Sequence, residues 1–581
     1  MSSRPPIVEA AAAAAATLVA WRLLRYYLTP DPYSKLPGPP PESWANGNLF
    51  QFFNPNAWDF HEELAQKYGS FFRLHGFLGR GHLLHTYDPK AIYHLLIKDQ
   101  NTFDETQNFL LMNTLIFGKG LLSTEGVHIR SSLFIVVLML VHQACSIENS
   151  GKCSTLSFRL LICATKYPSS MMLATKYFRF SFPRTSTETY FSTSKLRDSI
   201  LRQVSNGPRE IDMLSWMTRT ALELIGQSGL GYSFDPLTED GQEHPFSTSV
   251  KELMKSIGKF MFSRFYVLPW AHKIGSPGFQ RFIIKLLPWK DLHDMRDIVD
   301  TMHNTSTEII QAKKRALLAG GDAIESEVGR VKANMAAAEE DRLTEGELLG
   351  QMSTITFAAM DTTSNALSRV LQLLSENPDI QTRLREEIRE ARQLHGDLQY
   401  DELVALPLLD AVCRETLRLH PPVPFVVREA MKDGVIPLST PITTTDGKEL
   451  NEVIVPRGTA TLISIWACNR NPAVWGPDAK EWKPDRWLSP LPESVVDAHI
   501  PGVYSHLMTF IGGSRSCIGF KFSQLEMKVI LSLLLESFQF APTDKKVFWQ
   551  LNGVVQPSLD KDGAKLQLPL KVSLAPPAPS K

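Results

Sequence analysis

A mainly helical domain behind an N-terminal membrane-anchor helix is the fold this sequence predicts, and three observations predict it. Past Lys195, apolar residues recur at three- and four-residue steps through long stretches, the pattern of helices with one buried face. Between Trp58 and Phe103, helix-like and strand-like pieces alternate instead. Ile7–Leu24 (IVEAAAAAAATLVAWRLL) is a mostly apolar run.

In that run Arg22, Arg25 and Lys35 lie at or beyond the apolar end, which favours keeping that side in the cytosol. A secretory signal would carry its basic cluster in front, where there is only Arg4. Residues 1–30 therefore read as an anchor. The competing reading is a soluble or disordered helix, because the run is short, alanine-rich and contains Glu9. LPGPPP at Leu36–Pro41 cannot continue a helix, since proline lacks the amide donor. Residues 31–50 read as a stiff proline-rich linker, and 51–581 as the main domain.

Within that domain AWDFHEELAQKYG reads as an amphipathic helix and SFFRLHGFLGRGHLLHTY as a hairpin. IDMLSWMTRTALELIGQSGLG reads as a helix with a glycine stop. Small and charged residues at Ala319–Glu340 suggest an exposed connection. A long helix then runs to Asn377–Pro378, opened by a capping box of Thr344 and Glu347. LLDAVCRETLRLHPP and FKFSQLEMKVILSLLLESF complete the helical set.

Composition restricts the function. Lys+Arg and Asp+Glu both count 61, so the formal net charge is zero, which argues against nucleic acid as the main partner. The six cysteines contain no CxxC pair and no zinc spacing, which fits a reducing compartment better than a disulfide framework.

Three clusters stand out. In the long helix, Ala358-Ala359 removes bulk beside the polar Asp361-Thr362-Thr363. That is either a surface-facing turn or a groove with a carboxylate and a hydroxyl beside it. Glu415 and Arg418 lie three apart on a helix that is apolar around them, so burial is expected, with Arg486 in WKPDRW as the third partner that buried charges need. Finally, FIGGSRSCIGF sets Cys517 among glycines just before a helix N-terminus, where the dipole stabilises a thiolate. A structural thiol would have no use for Gly512, Gly513, Gly519 and Arg515.

With AAMDTT, ETLR, WKPDRW and FIGGSRSCIG in that order, the chain resembles the cytochrome P450 family of haem-thiolate monooxygenases, of the membrane-anchored fungal kind. The resemblance implies the mainly helical P450 fold with a small β-rich lobe. It implies haem b (iron protoporphyrin IX) with Cys517 as its axial thiolate, Gly513 and Gly519 giving the loop room, and Phe510 shielding the sulfur. Arg515 and Arg428 would bind the haem propionates. Glu415, Arg418 and Arg486 would form the triad that stiffens the cysteine loop. Asp361 and Thr362 would deliver protons to the reacting oxygen, and Ala359 stands where the family usually has glycine. The reaction would insert one oxygen atom from O2 into a lipophilic substrate, in a pocket drawing on Phe357, Ala358, Phe425, Val426 and the Phe103–Leu115 segment. No flavin or nicotinamide fingerprint occurs, so electrons would come from a separate NADPH-cytochrome P450 reductase at the endoplasmic reticulum membrane, with the catalytic domain facing the cytosol. Two other readings compete. One is a haem-thiolate isomerase or dehydratase, which often lacks the acid–alcohol pair. The other is an inactive product of a mis-spliced gene model.

The last reading arises from the block at about 127–191. FGKGLLSTEG leads toward a family helix that would supply a tryptophan or histidine and an arginine to a propionate, but that helix does not follow. Instead comes an apolar run, Leu133–Val141, too short to span a membrane. No tryptophan occurs between Trp58 and Trp216, and Cys145, Cys153 and Cys163 all fall here. The codons allowed for KCSTLSF, read in a shifted frame, can spell a sequence resembling the end of the missing helix. The block is expected to be retained intron plus frame-shifted exon rather than a lineage-specific loop, with poor haem loading as the consequence.

Overall fold

A computed structural model describes residues 31–79, 82–124, 186–318 and 343–577, together with Thr17 and Trp21. Apart from Thr17 and Trp21, the anchor expected at 1–30 lies outside them, as do the connection at 319–340 and most of the block at 127–191. Among the described residues no helix is long and apolar enough to cross a membrane.

Eleven helices of ten residues or more form the described body: α1 (Trp58–Tyr68), α2 (Gln107–Phe117), α3 (Ser186–Val204), α4 (Met213–Leu224), α5 (Pro245–Lys259), α6 (Pro277–Leu286), α7 (Lys290–Leu318), α8 (Glu345–Glu376), α9 (Pro378–His395), α10 (Pro407–Leu419) and α11 (Phe520–Ser537). The capping box is formed: the Thr344 hydroxyl accepts from the Glu347 amide while the Glu347 carboxylate accepts from the Thr344 amide. Pro378 then opens α9, so one chain direction ends where the next begins. The fold is mainly helical with a small β lobe, as expected.

That lobe is a five-stranded sheet. The expected hairpin supplies β1 (Phe71–His75) and β2 (His82–Thr86), paired antiparallel with Phe71 opposite Thr86. The short β3 (Phe103–Asp104) forms the far edge. A separate strand, β4 (Arg209–Asp212), leads directly into α4. The rest of the sheet arrives from far along the chain: β5 (Phe425–Ala430) pairs with β3, while beyond the β6 (Gly434–Thr443) and β7 (Glu449–Val455) hairpin, β8 (Ala460–Ser464) lies between β2 and β5. Beta-branched and aromatic runs such as FVVREA and ATLIS suit this half-buried surface.

Helix α8 runs through the centre and joins two apolar clusters. Its N-terminal half puts Leu348, Met352, Phe357 and Met360 against Val250 and Leu253 of α5 and Ile309 of α7. Its C-terminal half puts Leu367, Val370, Leu371 and Leu374 into the main core with Ile530, Leu531 and Leu534 of α11. Each fully buried aliphatic side chain contributes roughly 1.5–3 kcal/mol, so α8 is fixed along its length. The proline-rich stretch does not stand off as a spacer. Tyr33 and Leu36 are buried in the main core, and Lys35 pairs with Asp446 at 2.8 Å. Proline stiffness here docks the strand onto the body, because the flanking residues are apolar enough to bury.

Candidate active site around Cys517

The cysteine loop is built by backbone. The Cys517 amide donates to the Phe510 carbonyl at 3.0 Å, closing the turn ahead of α11. Gly513 sits at φ +81°, and a Cβ there would collide with the Leu96 carbonyl. Glycine is thus required both for conformation and for close approach. Ile511, a β-branched residue, is held at φ +42°. That outlier persists because its amide donates to Met508 and its carbonyl accepts from Val503. Nothing lies within 4 Å of a Cβ at Gly519, whose own amide hydrogen-bonds to the Cys517 sulfur. Phe510 packs edge-on to Tyr504 and tilted against Phe520. Cys517 as a residue is exposed, yet protein surrounds its thiol closely enough that desolvation pushes it up to about 11, with the Gly519 amide pulling the other way. Only a cationic partner would hold it as a thiolate.

Two arginines converge from β5 and from the loop. Arg428 is 2% exposed and pairs through Nη1 with Glu105 at 2.8 Å, while its Nη2 has no hydrogen-bond partner. Arg515 pairs through Nη2 with Asp104 at 3.1 Å, and its Nε is likewise buried and unpartnered. Burial lowers the Arg428 pKa, and the Glu105 carboxylate opposes that.

Other site residues expected from the sequence lie in the middle of α8. Ala358 is exposed although Phe357 and Met360 beside it are buried, so the missing bulk opens a surface on an otherwise packed helix. Phe357 meets Phe117 of α2 with ring centroids 5.0 Å apart, which sets the segment after Phe103 against α8. Phe425 turns into an aromatic group with Phe52 and His61. The acid and the alcohol point to different partners. Thr362 Oγ1 donates to the Ala358 carbonyl at 2.8 Å. Asp361, fully buried, takes Lys251 Nζ at 2.7 Å, Asn365 Nδ2 at 3.1 Å and Gln556 Nε2 at 3.2 Å.

The structure brings Glu415, Arg418 and Arg486 together. Arg418 is bidentate to Glu415, Nε to Oε2 at 2.9 Å and Nη2 to Oε1 at 2.8 Å, with both side chains at 0% exposure. Arg486 Nε reaches Glu415 Oε1 at 3.4 Å. Sequence reasoning missed what links this triad to the cysteine loop. Arg418 Nη1 also donates to the Asn469 carbonyl at 3.0 Å. The Asn469 side chain then accepts from the Met508 amide at 2.8 Å and donates to Thr509 at 2.9 Å. Thr509 donates in turn to the Leu417 carbonyl at 2.8 Å. An isolated asparagine in ACNRNP carries no signal that it will bridge two distant segments. Lys251 could have been asked for, since a buried Asp361 needs a cation, but nothing in the sequence says which one.

A thiol on a backbone-built loop, a buried and a half-buried arginine each with a buried donor to spare, and a small-residue opening on the central helix fit a flat macrocycle bearing a metal and two carboxylates. The family model for Cytochrome P450 matches residues 37–138 and 192–561. The chain is 44% identical over 559 residues to "Cytochrome P450 monooxygenase 91" of Postia placenta (strain ATCC 44394 / Madison 698-R), covering 95% of each chain. It is 43% identical over 569 residues to "Cytochrome P450 monooxygenase 81" of the same fungus, covering 97% of this chain and 96% of the other. To "Ganoderic acid synthetase CYP5150L8" of Ganoderma lucidum it is 39% identical over 574 residues, with 97% of each covered. The chain belongs to the cytochrome P450 family and is an oxidoreductase of that family.

Proposed function

We propose that this protein is a membrane-associated monooxygenase that inserts one oxygen atom from O2 into a lipophilic substrate, with electrons from a separate NADPH-dependent reductase. The observation that carries it is Cys517 on its closed loop beside Arg428 and Arg515. These three would hold haem b, the thiolate through iron and the arginines through the propionates. When bound, the haem supplies thiolate-assisted oxygen activation. The protein's own part is to position that group, line an apolar pocket along α2 and α8, and move protons. Lys251, Asn365 and Gln556 hold the Asp361 carboxylate and the Ala358 carbonyl holds the Thr362 hydroxyl, so both contacts must open before the two side chains relay protons taken from solvent. Retention of both groups favours oxygenation over an isomerase.

Membrane association is supported by a surface as well as by the N-terminal run. Phe262, Trp270, Phe279, Phe282 and Leu286 are each 47% or more exposed, interleaved with exposed Lys273 and Lys285. Exposed apolar clusters edged by cations suit a lipid surface. Phe77, between β1 and β2, packs its ring 5.7 Å from Phe262, so this face adjoins the N-terminal hairpin.

The test is reconstitution with an NADPH-cytochrome P450 reductase and a lipophilic substrate panel. Thr362→Ala is expected to keep NADPH consumption while product per NADPH falls severalfold and hydrogen peroxide rises. An unchanged product ratio would remove Thr362 from proton delivery, and no oxygenated product from the unaltered protein would remove the monooxygenase reading.

One observation favours the reading that the sequence itself departs from a working enzyme. The family match ends at 138 and resumes at 192, so residues 139–191 of the block at 127–191 lie outside it. The mature message is expected to lack part of these codons or to read them in another frame. Sequencing the transcript across codons 120–195 checks this. A message encoding every residue, from a protein that loads haem fully, refutes it.

A further inference from the structure

Arg428 and Arg515 are engaged by two adjacent carboxylates, Asp104 and Glu105, at the point where β3 hands over to α2. The placement is firm. Phe103 pairs with Ala430 and Asp104 with Glu429, so β3 is stitched to the strand that carries Arg428. Thr106 then caps α2, its hydroxyl accepting from the Phe109 amide at 3.1 Å. Each arginine meets its carboxylate through one nitrogen and keeps a buried donor unpaired, although a guanidinium carries five donors and favours two-point contacts. Two cations and two carboxylates already balance. Two haem propionates would bring the count to four carboxylates around two arginines, and like charges at such range repel.

We propose that Asp104 and Glu105 compete with the haem propionates for Arg428 and Arg515, so that haem uptake starts at the donor each arginine keeps free and draws these two ion pairs apart. This rests on the reading that the two arginines take the propionates. Glu105 is the stronger competitor, since its partner Arg428 is the more deeply buried and the contact is the shorter. Because Glu105 sits one residue before the α2 cap, its release also frees the start of α2, whose far end packs Phe117 on Phe357. Affinity is then lowered by the fraction of chains in which the arginines are already engaged.

The test is a titration of the apo-protein with ferric protoporphyrin IX and, separately, with its dimethyl ester, followed by Soret absorbance and tryptophan quenching. Glu105→Gln is expected to bind protoporphyrin IX about tenfold tighter, the gain when engaged chains outnumber open ones by that ratio, with Asp104→Asn showing a smaller gain. The ester has no carboxylates to compete, so neither variant should alter its binding. Equal or weaker binding of protoporphyrin IX by both variants, whether the unaltered chain binds tightly or not at all, overturns the proposal and makes the carboxylates mere positioners of the arginines. A gain shared equally by the ester overturns it too. The underlying assignment has its own arm. If Arg428→Gln leaves the preference for the acid over the ester unchanged, the arginine does not bind a propionate, a result distinct from a missing gain in Glu105→Gln.

Discussion

Replacing Cys517 by alanine is expected to remove the thiolate-type Soret band of the reduced carbon-monoxide complex and to take product formation to background, while leaving the fold intact. The fold should survive because the loop is held by main chain. The 517 amide still donates to Phe510, Gly513 still takes its positive φ, and Ile511 stays pinned between Met508 and Val503. An exposed side chain truncated to alanine in such a setting changes stability by about 0.5 kcal/mol or less. The ligand, by contrast, has no substitute among the described residues. Among the described residues the other free thiols are Cys413 and Cys468, 2% and 1% exposed, and burial pushes both up to about 12. Neither can reach a cofactor without opening the core, and among the described residues no other side chain is a thiol. The measurement is the reduced carbon-monoxide difference spectrum beside a far-ultraviolet circular dichroism spectrum. A retained thiolate band would mean that the ligand is another cysteine, and a lost fold would mean that the sulfur is structural.

How much of this site could be read from the sequence depended on whether one segment held the signal. Cys517, Gly513 and Arg515 lie within a few residues of one another, so spacing and residue type together were informative. The capping box of α8 was legible for the same reason, because Thr344 and Glu347 satisfy each other three residues apart. The triad was partly legible. Apolar neighbours implied burial of Glu415 and Arg418, and burial implied a third partner. The Asp104–Glu105 contacts with Arg515 and Arg428 were not legible, because each spans more than 300 residues of sequence and nothing local distinguishes this acidic pair from a solvated one. The Lys251 contact with Asp361 failed for the same reason. The five-stranded sheet was half visible. Turn chemistry announces β1 and β2, whereas the parallel pairing of β2 with β8 depends on the packing of the whole domain. The linker at 31–50 was read from proline chemistry alone, which fixes stiffness but says nothing of what Tyr33 and Leu36 will bury against.

Arg418→Ala is expected to cost about 3–5 kcal/mol, the usual effect of stripping one partner from a buried ion pair. A typical domain has roughly 5–15 kcal/mol in hand, so this single change endangers folding. The residues give the reason. Truncation leaves Glu415 at 0% exposure with Arg486 at 3.4 Å as its remaining cation, and it strips donors from the carbonyls of Asn469, Ala479 and Glu481. It also removes the guanidinium that lies 5.1 Å from the Trp475 ring. The damage should travel. Asn469 is the residue whose side chain fixes Met508 and Thr509, and the next residue, Phe510, provides the carbonyl that closes the Cys517 turn. Arg418→Lys tests the geometry separately from the charge, since an ammonium cannot present the fork that meets both Glu415 oxygens while reaching Asn469 and Ala479. It should recover less than half of the loss. Urea unfolding followed by tryptophan fluorescence gives the stability, and haem retention during the same titration reports the loop. The expected order is that haem is lost from Arg418→Lys at a urea concentration below global unfolding. Loss of haem only together with global unfolding would separate the triad from the loop and confine Arg418 to general stability.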